Sequence, residues 1–409
     1  MQGFINWMEL NLVPKMNKIN SNAWVQSLKD AMMQVLPLIL VGSLLTIMAI
    51  LQDFIPNFPD MWVVYNYTMG IIGILVAFLI PFNYMERKRK HKMRLIAGMT
   101  SFSMYAIIIH LDNAELFDFG SLGAGGMFAA IVVGIISGLV FALFSDFSFF
   151  KEESTVPDFV RQWFDNMLPV AILILSTWAL VYLLGLDLFT LINTALSPLT
   201  KFADNIVGFT LIYFLICFLY SMGISTWMLY SITTPIFLAG ITANLALVQA
   251  GEAAVHVATN EVYYSGWLAI GGSGGTLFLC LMFLFMAKSQ RLRAIGKASI
   301  LPSILNINEP IVFGAVAWNP ILMIPLCLHG LITPIITWIW LNAGLASIPY
   351  EVFGFWYCPF PISTWLVSKS VGGLLLLLVL AAVNIVIYFP FFKIYDNMQA
   401  KAEKNAETA

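Results

Sequence analysis

The segment "LPSILNINEPIVFG", residues 301–314, places one carboxylate and two amides between apolar runs. An ionised Glu309 without a partner among apolar helices would be costly, so it must face a cavity, a partner or a ligand. Asn306 and Asn308 supply amide donors and acceptors beside it, and Pro310 suits the first turn of a new helix. The pattern predicts a hairpin tip that contacts a ligand rich in hydroxyl groups, with Glu309 as the candidate catalytic residue. The alternative is that Glu309 only fixes the hairpin by bonding to neighbouring backbone.

A second polar break, "GGSGG" at residues 271–275, interrupts an apolar segment in its middle. Glycine allows the backbone to approach a ligand closely, so Gly272, Ser273 and Gly274 are candidate substrate-binding residues. No lysine follows these glycines as it does in a P-loop, which makes a phosphate cradle a weak interpretation. The alternative is a close contact between helices through small residues.

Trp356, in "FGFWYCPFPIS", is a further candidate because an aromatic face can stack on the apolar face of a sugar ring. The alternative is an aromatic residue of the membrane interface. Among the four histidines, His329 lies within an apolar run and requires a polar partner. No two histidines have metal-ligand spacing, and the four cysteines form no CxxC pair. The sequence therefore predicts neither a metal site nor a cofactor.

The composition indicates what kind of protein positions these residues. Of the 409 residues, 60% are hydrophobic and 10% are charged, and the mean hydropathy is +0.86. A soluble protein would carry about a quarter charged residues. Apolar runs of about 20 residues recur along the chain, which is long enough to cross a bilayer. We therefore predict an all-α polytopic membrane protein. The net charge of −2 gives no indication of a nucleic-acid partner.

The distribution of Lys and Arg predicts how the spans are oriented. Lys15 and Lys18 precede the first span, which covers roughly residues 30–51. The loop at residues 86–94 contains six Lys and Arg residues, whereas the loop at residues 112–120 contains acids and no base. Cytoplasmic loops of membrane proteins are enriched in Lys and Arg. The N-terminus, the basic loop and the lysine-containing C-terminal tail are therefore predicted to be cytoplasmic.

The second half of the chain is less regular than the first. Backbone that leaves a helix at membrane depth must be buried in protein or line a cavity. Two interrupted segments in one half of a chain are typical of a transporter's binding site. The triplet "TTP" at residues 233–235 predicts one more interruption. The stretch "NTALSPLTKFADN", residues 193–205, is the predicted boundary between five regular spans and this half.

Residues 287–314, "AKSQRLRAIGKASILPSILNINEPIVFG", closely resemble the signature of the membrane subunit (component IIC) of bacterial sugar phosphotransferase systems. The similarity is to the lactose/cellobiose/diacetylchitobiose branch. It extends along most of the chain, through the segments "LNLVPKMNKINSNAWVQSLKDAMMQVLPLILVGS", "WLAIGGSGGTLFL", "WYCPFPIS" and "YFPFFKIYD". The "NINEP" block with its basic lead-in is the most specific of these motifs.

The resemblance implies an elevator-type transporter with about ten transmembrane helices plus two re-entrant hairpins. It also implies a homodimer that resides among the lipids of the bacterial cytoplasmic membrane. Residues 1–200 would form the interface or scaffold domain, residues 201–395 the transport domain that binds the substrate, and residues 396–409 a cytoplasmic tail.

The resemblance also implies a sugar site, with a disaccharide bound at the hairpin tips. Asn308 and Glu309 match the sugar-contacting pair of the family, and Trp356 matches the Trp of its "W-x-x-P-x-P" element. A separate cytoplasmic IIB protein, with IIA, would phosphorylate the sugar there. This chain would then be a transport subunit without a self-contained catalytic site.

Ser225 departs from the family pattern and is retained as a candidate substrate-binding residue. Members of the branch usually carry "G-I-H-G" after the sixth span, whereas this chain reads "SMGISTWM" at residues 221–228. Serine cannot replace the proton transfer of an imidazole near pH 7. Either the coupling to phosphorylation is weakened or the His only orients the sugar and Ser225 does so adequately. The alternatives are a sugar facilitator or exporter independent of phosphorylation, and a membrane sensor or receptor of the same fold.

Overall fold

A computed structural model describes residues 10, 13–49, 55, 58–150, 156–224 and 226–407 of the chain. Every regular element within those residues is helical. The helices are α1 Val13–Asn20, α2 Ala23–Ala49, α3 Trp62–Asn66, α4 Ile72–Arg87, α5 His91–Ile108, α6 Met127–Phe144, α7 Asp158–Trp178, α8 Leu188–Asp204, α9 Ile206–Ser221, α10 Trp227–Gln249, α11 Leu277–Met286, α12 Gln290–Ile304, α13 Glu309–Ile311, α14 Pro320–Asn342, α15 Ile362–Ser368 and α16 Val371–Glu407. Short 3₁₀ turns occupy Met69–Ile71, Phe119–Leu122 and Ala124–Gly126, and π-helical turns occupy Ala179–Leu183, Glu261–Gly266 and Val312–Val316.

Six helical stretches of the described residues are long and apolar enough to cross a membrane. They are Trp62–Arg87, Ala124–Phe144, Asp158–Leu183, Ile232–Gln249, Pro320–Asn342 and Val371–Asn405. A seventh results if α8 and α9, which meet at a bend of 80°, count as a single span. These stretches confirm the prediction of an all-helical integral membrane protein.

The chain divides into two compact units. One comprises Asn17–Pro198 and Tyr230–Ala239, and the other comprises Met1–Met16, Leu199–Leu229 and Gly240–Ala409. We call the first the scaffold unit and the second the site unit, because the second contains both polar breaks.

Hydrogen bonds from side-chain hydroxyl groups to backbone carbonyls connect the segments of the scaffold unit. The Ser101 hydroxyl donates to Ala77 O at 2.6 Å, and the Ser137 hydroxyl donates to Ala97 O at 2.9 Å. The buried Tyr105 hydroxyl donates to Ser121 O at 2.7 Å, with Gly126 O at 3.0 Å. Such side chains satisfy polar groups where water is absent, while small residues allow helices to approach closely.

The basic loop of the scaffold unit is partly neutralised by acids. Arg87 pairs with Asp30, and both Arg94 and His91 pair with Glu86. Lys88 is exposed and lies 5.6 Å from the centre of the Tyr84 ring. Exposed pairs of this kind contribute little to stability, so they orient the loop more than they stabilise the fold.

In the site unit, the end of α16 is fastened to the start of α12. The Glu403 carboxylate accepts hydrogen bonds from the Ser289 hydroxyl at 2.6 Å and from the backbone N–H groups of Gln290 and Arg291 at 2.8 and 3.1 Å. A carboxylate at a helix N-terminus satisfies N–H groups that have no partner inside the helix. This contact fixes α12, the helix that leads directly to the NINEP segment.

The two predicted breaks at GGSGG and NINEP are confirmed, because the backbone is non-helical at residues 271–275 and 306–308. The predicted interruption at "TTP" is wrong. Helix α10 continues through Pro235, and the Thr234 hydroxyl donates to Tyr230 O at 2.6 Å. Threonine hydroxyls can satisfy carbonyl groups near a proline, which is one reason why such helices tolerate proline.

Candidate functional site

The loop at residues 271–275 has a conformation that only glycine adopts readily. The φ angles of Gly271, Gly272, Gly274 and Gly275 are 77°, 98°, 92° and 65°. At Gly272 the backbone also passes so close to the NINEP segment that a β-carbon would lie 2.3 Å from Cγ of Asn308. The glycines therefore serve both the turn and the close approach.

Asn308 joins this loop to the NINEP segment and is only 3% exposed. Its amide nitrogen donates to Ser273 O at 2.8 Å and to the Thr276 hydroxyl oxygen at 2.9 Å. Its Oδ1 accepts a hydrogen bond from the Tyr220 hydroxyl at 3.1 Å. Both amide hydrogens are thus engaged by protein, and Oδ1 retains one further acceptor direction.

Asn306 makes a second connection, to the segment that contains Trp356. Its Oδ1 accepts from the Gly271 backbone N–H at 3.1 Å. Its amide nitrogen donates to Trp356 O at 2.8 Å and to Cys358 O at 2.9 Å. Asn306 has a positive φ of 61°, which asparagine tolerates better than most residues. Three chain segments therefore converge on the two asparagine side chains.

Glu309 differs from both asparagines because its side chain is exposed. It is the first residue of α13, with Pro310 after it as predicted. Its carboxylate makes no hydrogen bond or ion pair with any of the described residues. The asparagines thus fasten the tip, and the carboxylate is left to face outward from it.

The remaining predicted site residues lie at different depths. Ser273 is buried, yet its hydroxyl has no partner within the described part of the chain. Trp356 is half-buried, and its ring meets that of Tyr357 edge to face at 5.6 Å. Gly274 is buried in the loop. Ser225 lies outside the described residues. The turn before it contains Gly223 at φ 72°.

Sequence reasoning missed Tyr220 and Thr276. Both supply hydroxyl groups to Asn308, from helix α9 and from the residue before α11. Trp318 N–H also donates to Ser221 O at 3.0 Å, which brings the end of α9 to the segment after α13. A tyrosine within an apolar run is the available sequence signal, since a buried hydroxyl needs a partner.

A layer of buried polar side chains lies against the loop. Tyr213, His329, Asn384 and Tyr388 are each 0% exposed. His329 Nδ1 pairs with the Asn384 side chain, and His329 Nε2 lies 3.1 Å from Leu268 O. The prediction that His329 requires a polar partner is thus confirmed. All four cysteines are free thiols.

Comparison with known proteins identifies the family of the chain. The family model described as "Phosphotransferase system, EIIC" matches residues 29–330. The putative permease IIC component YwbA of Bacillus subtilis (strain 168) is 27% identical over 441 residues, which cover 100% of this chain and 99% of that protein. The lactose-specific EIICB component of Staphylococcus epidermidis is 29% identical over 437 residues, which cover 98% of this chain and 72% of that protein.

A solved structure shares the fold. The crystal structure of the transporter ChbC, the IIC component of the N,N'-diacetylchitobiose-specific phosphotransferase system, superposes with a TM-score of 0.86 at 24% identity. The match covers 97% of this chain and 99% of ChbC. Since the family model matches most of the chain, the protein belongs to the phosphotransferase system EIIC family.

Proposed function

We propose that this protein is a sugar-translocating IIC permease subunit that moves an oligosaccharide, of disaccharide size, inward across the bacterial cytoplasmic membrane. The observation that carries the proposal is the Glu309 carboxylate, which is exposed and has no described partner on a tip that two buried asparagines hold in place. The names of the relatives support it, because they specify lactose and N,N'-diacetylchitobiose.

The chemistry of the tip suits a polyhydroxylated ligand. The Glu309 carboxylate accepts hydrogen bonds from sugar hydroxyls, and a bond to a charged group contributes about 1.5–3 kcal/mol. The Ser273 hydroxyl and the free acceptor direction of Asn308 Oδ1 add weaker contacts. Trp356 supplies an aromatic face on which a sugar ring stacks. Asn306 and Gly272 act indirectly, since they set where the backbone lies.

The finer architecture is part of the same proposal. The chain has about ten spans, and the tips at residues 271–275 and 306–309 belong to two re-entrant hairpins. Residues 1–200 form the interface of a homodimer, and residues 201–395 move as the transport domain of an elevator. Both termini and the tail at residues 396–409 are cytoplasmic. The support is the family membership, the polar breaks and the alternation of Lys and Arg between loops.

Phosphorylation by a separate IIB protein, served by IIA, is the proposed coupling step. Ser225 favours a second candidate function, a facilitator that releases sugar without phosphorylating it. The family resemblance implies a histidine where this chain has Ser225, and serine supplies no comparable proton transfer near pH 7. Among the described residues, His329 is the histidine near the loop, and it is fully buried.

Uptake into proteoliposomes distinguishes these functions. Radiolabelled lactose, cellobiose and N,N'-diacetylchitobiose are offered with and without IIB, IIA and a phosphoryl donor. Sugar phosphate that forms only with IIB supports the coupled permease, and free sugar inside supports the facilitator. Saturable binding without flux identifies a sensor, and no binding of any sugar contradicts both proposals.

Two variants test the role of the carboxylate in that assay. Glu309→Gln should weaken sugar binding or uptake about ten- to hundredfold, in line with the loss of a charged hydrogen bond. The matched control is Glu115→Gln, which neutralises an exposed acid of the scaffold unit. If Glu309→Gln takes up sugar as fast as Glu115→Gln does, the Glu309 carboxylate does not contact the sugar, and the proposal loses its main support.

A further inference from the structure

Both backbone polar groups of Gly274 are held by tyrosine hydroxyls from two different helices. Its N–H donates to the Tyr213 hydroxyl oxygen at 3.2 Å, and its carbonyl accepts from the Tyr388 hydroxyl at 2.6 Å. Tyr213, on α9, in turn donates its own proton to Leu268 O at 2.7 Å. The centre of the glycine loop is therefore fixed by side chains and has no helical backbone partner.

His329 and Asn384 complete the support under the next glycine. A β-carbon on Gly275 would lie 2.4 Å from Cε1 of His329 and 2.9 Å from Nδ2 of Asn384. Nε2 of His329 lies 3.1 Å from Leu268 O, the carbonyl that also accepts from Tyr213. Nδ1 of the same ring lies against Oδ1 of Asn384, and this contact joins α14 to α16 directly beneath the loop.

Burying these four polar side chains costs free energy. His329 lies in the candidate span Pro320–Asn342, and Asn384 and Tyr388 lie in the candidate span Val371–Asn405. Polar groups buried in a membrane require partners, and apolar residues of similar volume would be buried without that requirement. Phenylalanine at positions 213 and 388 would fill nearly the same space. What the two hydroxyls add is the hydrogen bonds to Gly274 and Leu268.

A movement of the loop at residues 271–275 is transmitted to the NINEP segment through contacts with Asn308. Gly272 contacts the Asn308 side chain, whose amide donates to Ser273 O and to Thr276. If the tyrosine hydrogen bonds to Gly274 are lost, the loop no longer packs closely against Asn308, the residue directly before Glu309. We propose that Tyr213, His329, Asn384 and Tyr388 are positioning residues that hold the loop at residues 271–275 and, through Asn308, set the orientation of Glu309. Their effect on sugar affinity presupposes the sugar site proposed above.

Hydrogen–deuterium exchange of the loop tests the positioning without any sugar. Tyr388→Phe and Tyr213→Phe should each raise amide exchange in a peptide covering residues 268–276 by about tenfold, the effect of one lost buried hydrogen bond. Tyr105→Phe is the matched control, because it likewise removes a buried tyrosine hydroxyl that is hydrogen-bonded to backbone, but in the scaffold unit. Exchange in this peptide that stays at the wild-type rate in both site-unit variants overturns the proposal.

A double-mutant cycle then separates positioning from general stability. With radiolabelled lactose, cellobiose or N,N'-diacetylchitobiose, Tyr388→Phe should weaken affinity about tenfold in the wild-type background. In the Glu309→Gln background the same change should have little further effect, because the group being oriented is already lost. Equal losses in both backgrounds overturn the link to Glu309. If the wild-type protein binds none of these sugars, the proposed function fails, and the exchange experiment still decides whether the layer holds the loop.

Discussion

Gly272 and Asn308 are in such close contact that any side chain at position 272 would overlap the asparagine, with a β-carbon 2.3 Å from its Cγ. This contact joins the two polar breaks of the chain, which are separated by more than thirty residues in the sequence. It makes the geometry of one tip depend on the conformation of the other.

Replacing Gly272 by alanine should weaken sugar binding more than backbone strain alone explains. The φ of 98° costs an alanine about 1–2 kcal/mol, and the overlap with Asn308 adds about 1–3 kcal/mol. Gly251→Ala is the control, because Gly251 has a φ of 81° and no neighbour within 4 Å. Thermal unfolding and sugar affinity of both variants measure the difference, and equal effects would show that the contact is unimportant.

Asn306→Ala and Glu309→Gln should affect different properties. Asn306 makes hydrogen bonds to Gly271, Trp356 and Cys358, so its loss leaves buried groups unpaired and should destabilise the protein by about 1–3 kcal/mol. Glu309 has no described partner, so its amide variant should unfold at the wild-type temperature and lose only function. Thermal unfolding in detergent compares the two. A large drop for Glu309→Gln would indicate that the carboxylate fixes the hairpin after all.

Ser225→His should raise IIB-dependent sugar phosphorylation if the rest of the site is intact, because imidazole supplies an acid–base group near neutral pH. Ser225→Ala should keep sugar binding and leave phosphorylation weak. Sugar-phosphate formation with a cognate IIB measures both. Vigorous wild-type phosphorylation that neither variant changes would show that position 225 has no part in the transfer.

Labelling with an impermeant thiol reagent tests the orientation of the scaffold unit. In a background without the four native cysteines, Lys88→Cys should be labelled only from the cytoplasmic side and Glu115→Cys only from outside. Both positions are exposed, so accessibility depends on the side of the membrane and not on burial. Labelling of Lys88→Cys in intact cells would reverse the predicted topology.

The two polar breaks could be predicted from residue types alone. Glu309, the two asparagines and Pro310 are chemically out of place in an apolar chain, and glycines in the middle of an apolar run indicate a break. These local signals depend on neighbours in the sequence, and the structure places breaks at both positions. The prediction at "TTP" was wrong for the same reason, because it relied only on the tendency of proline to break helices. The hydrogen bond from the Thr234 hydroxyl to Tyr230 O, which accompanies Pro235 inside the helix, cannot be recognised from residue types.

The sequence by itself determined the helical membrane class, the two breaks and the identity of the polar groups at the tip, because hydrophobic length and glycine or proline chemistry act over a few residues. Only the tertiary structure decided which polar groups face inward. Asn306 and Asn308 are both buried and engaged by backbone from segments 35 to 52 residues away, whereas Glu309 is exposed. The sequence also did not predict the supporting layer of Tyr213, His329, Asn384 and Tyr388. Hydrogen bonds between helices that are distant in the sequence leave no periodic pattern of residues, and they form only when those helices pack together.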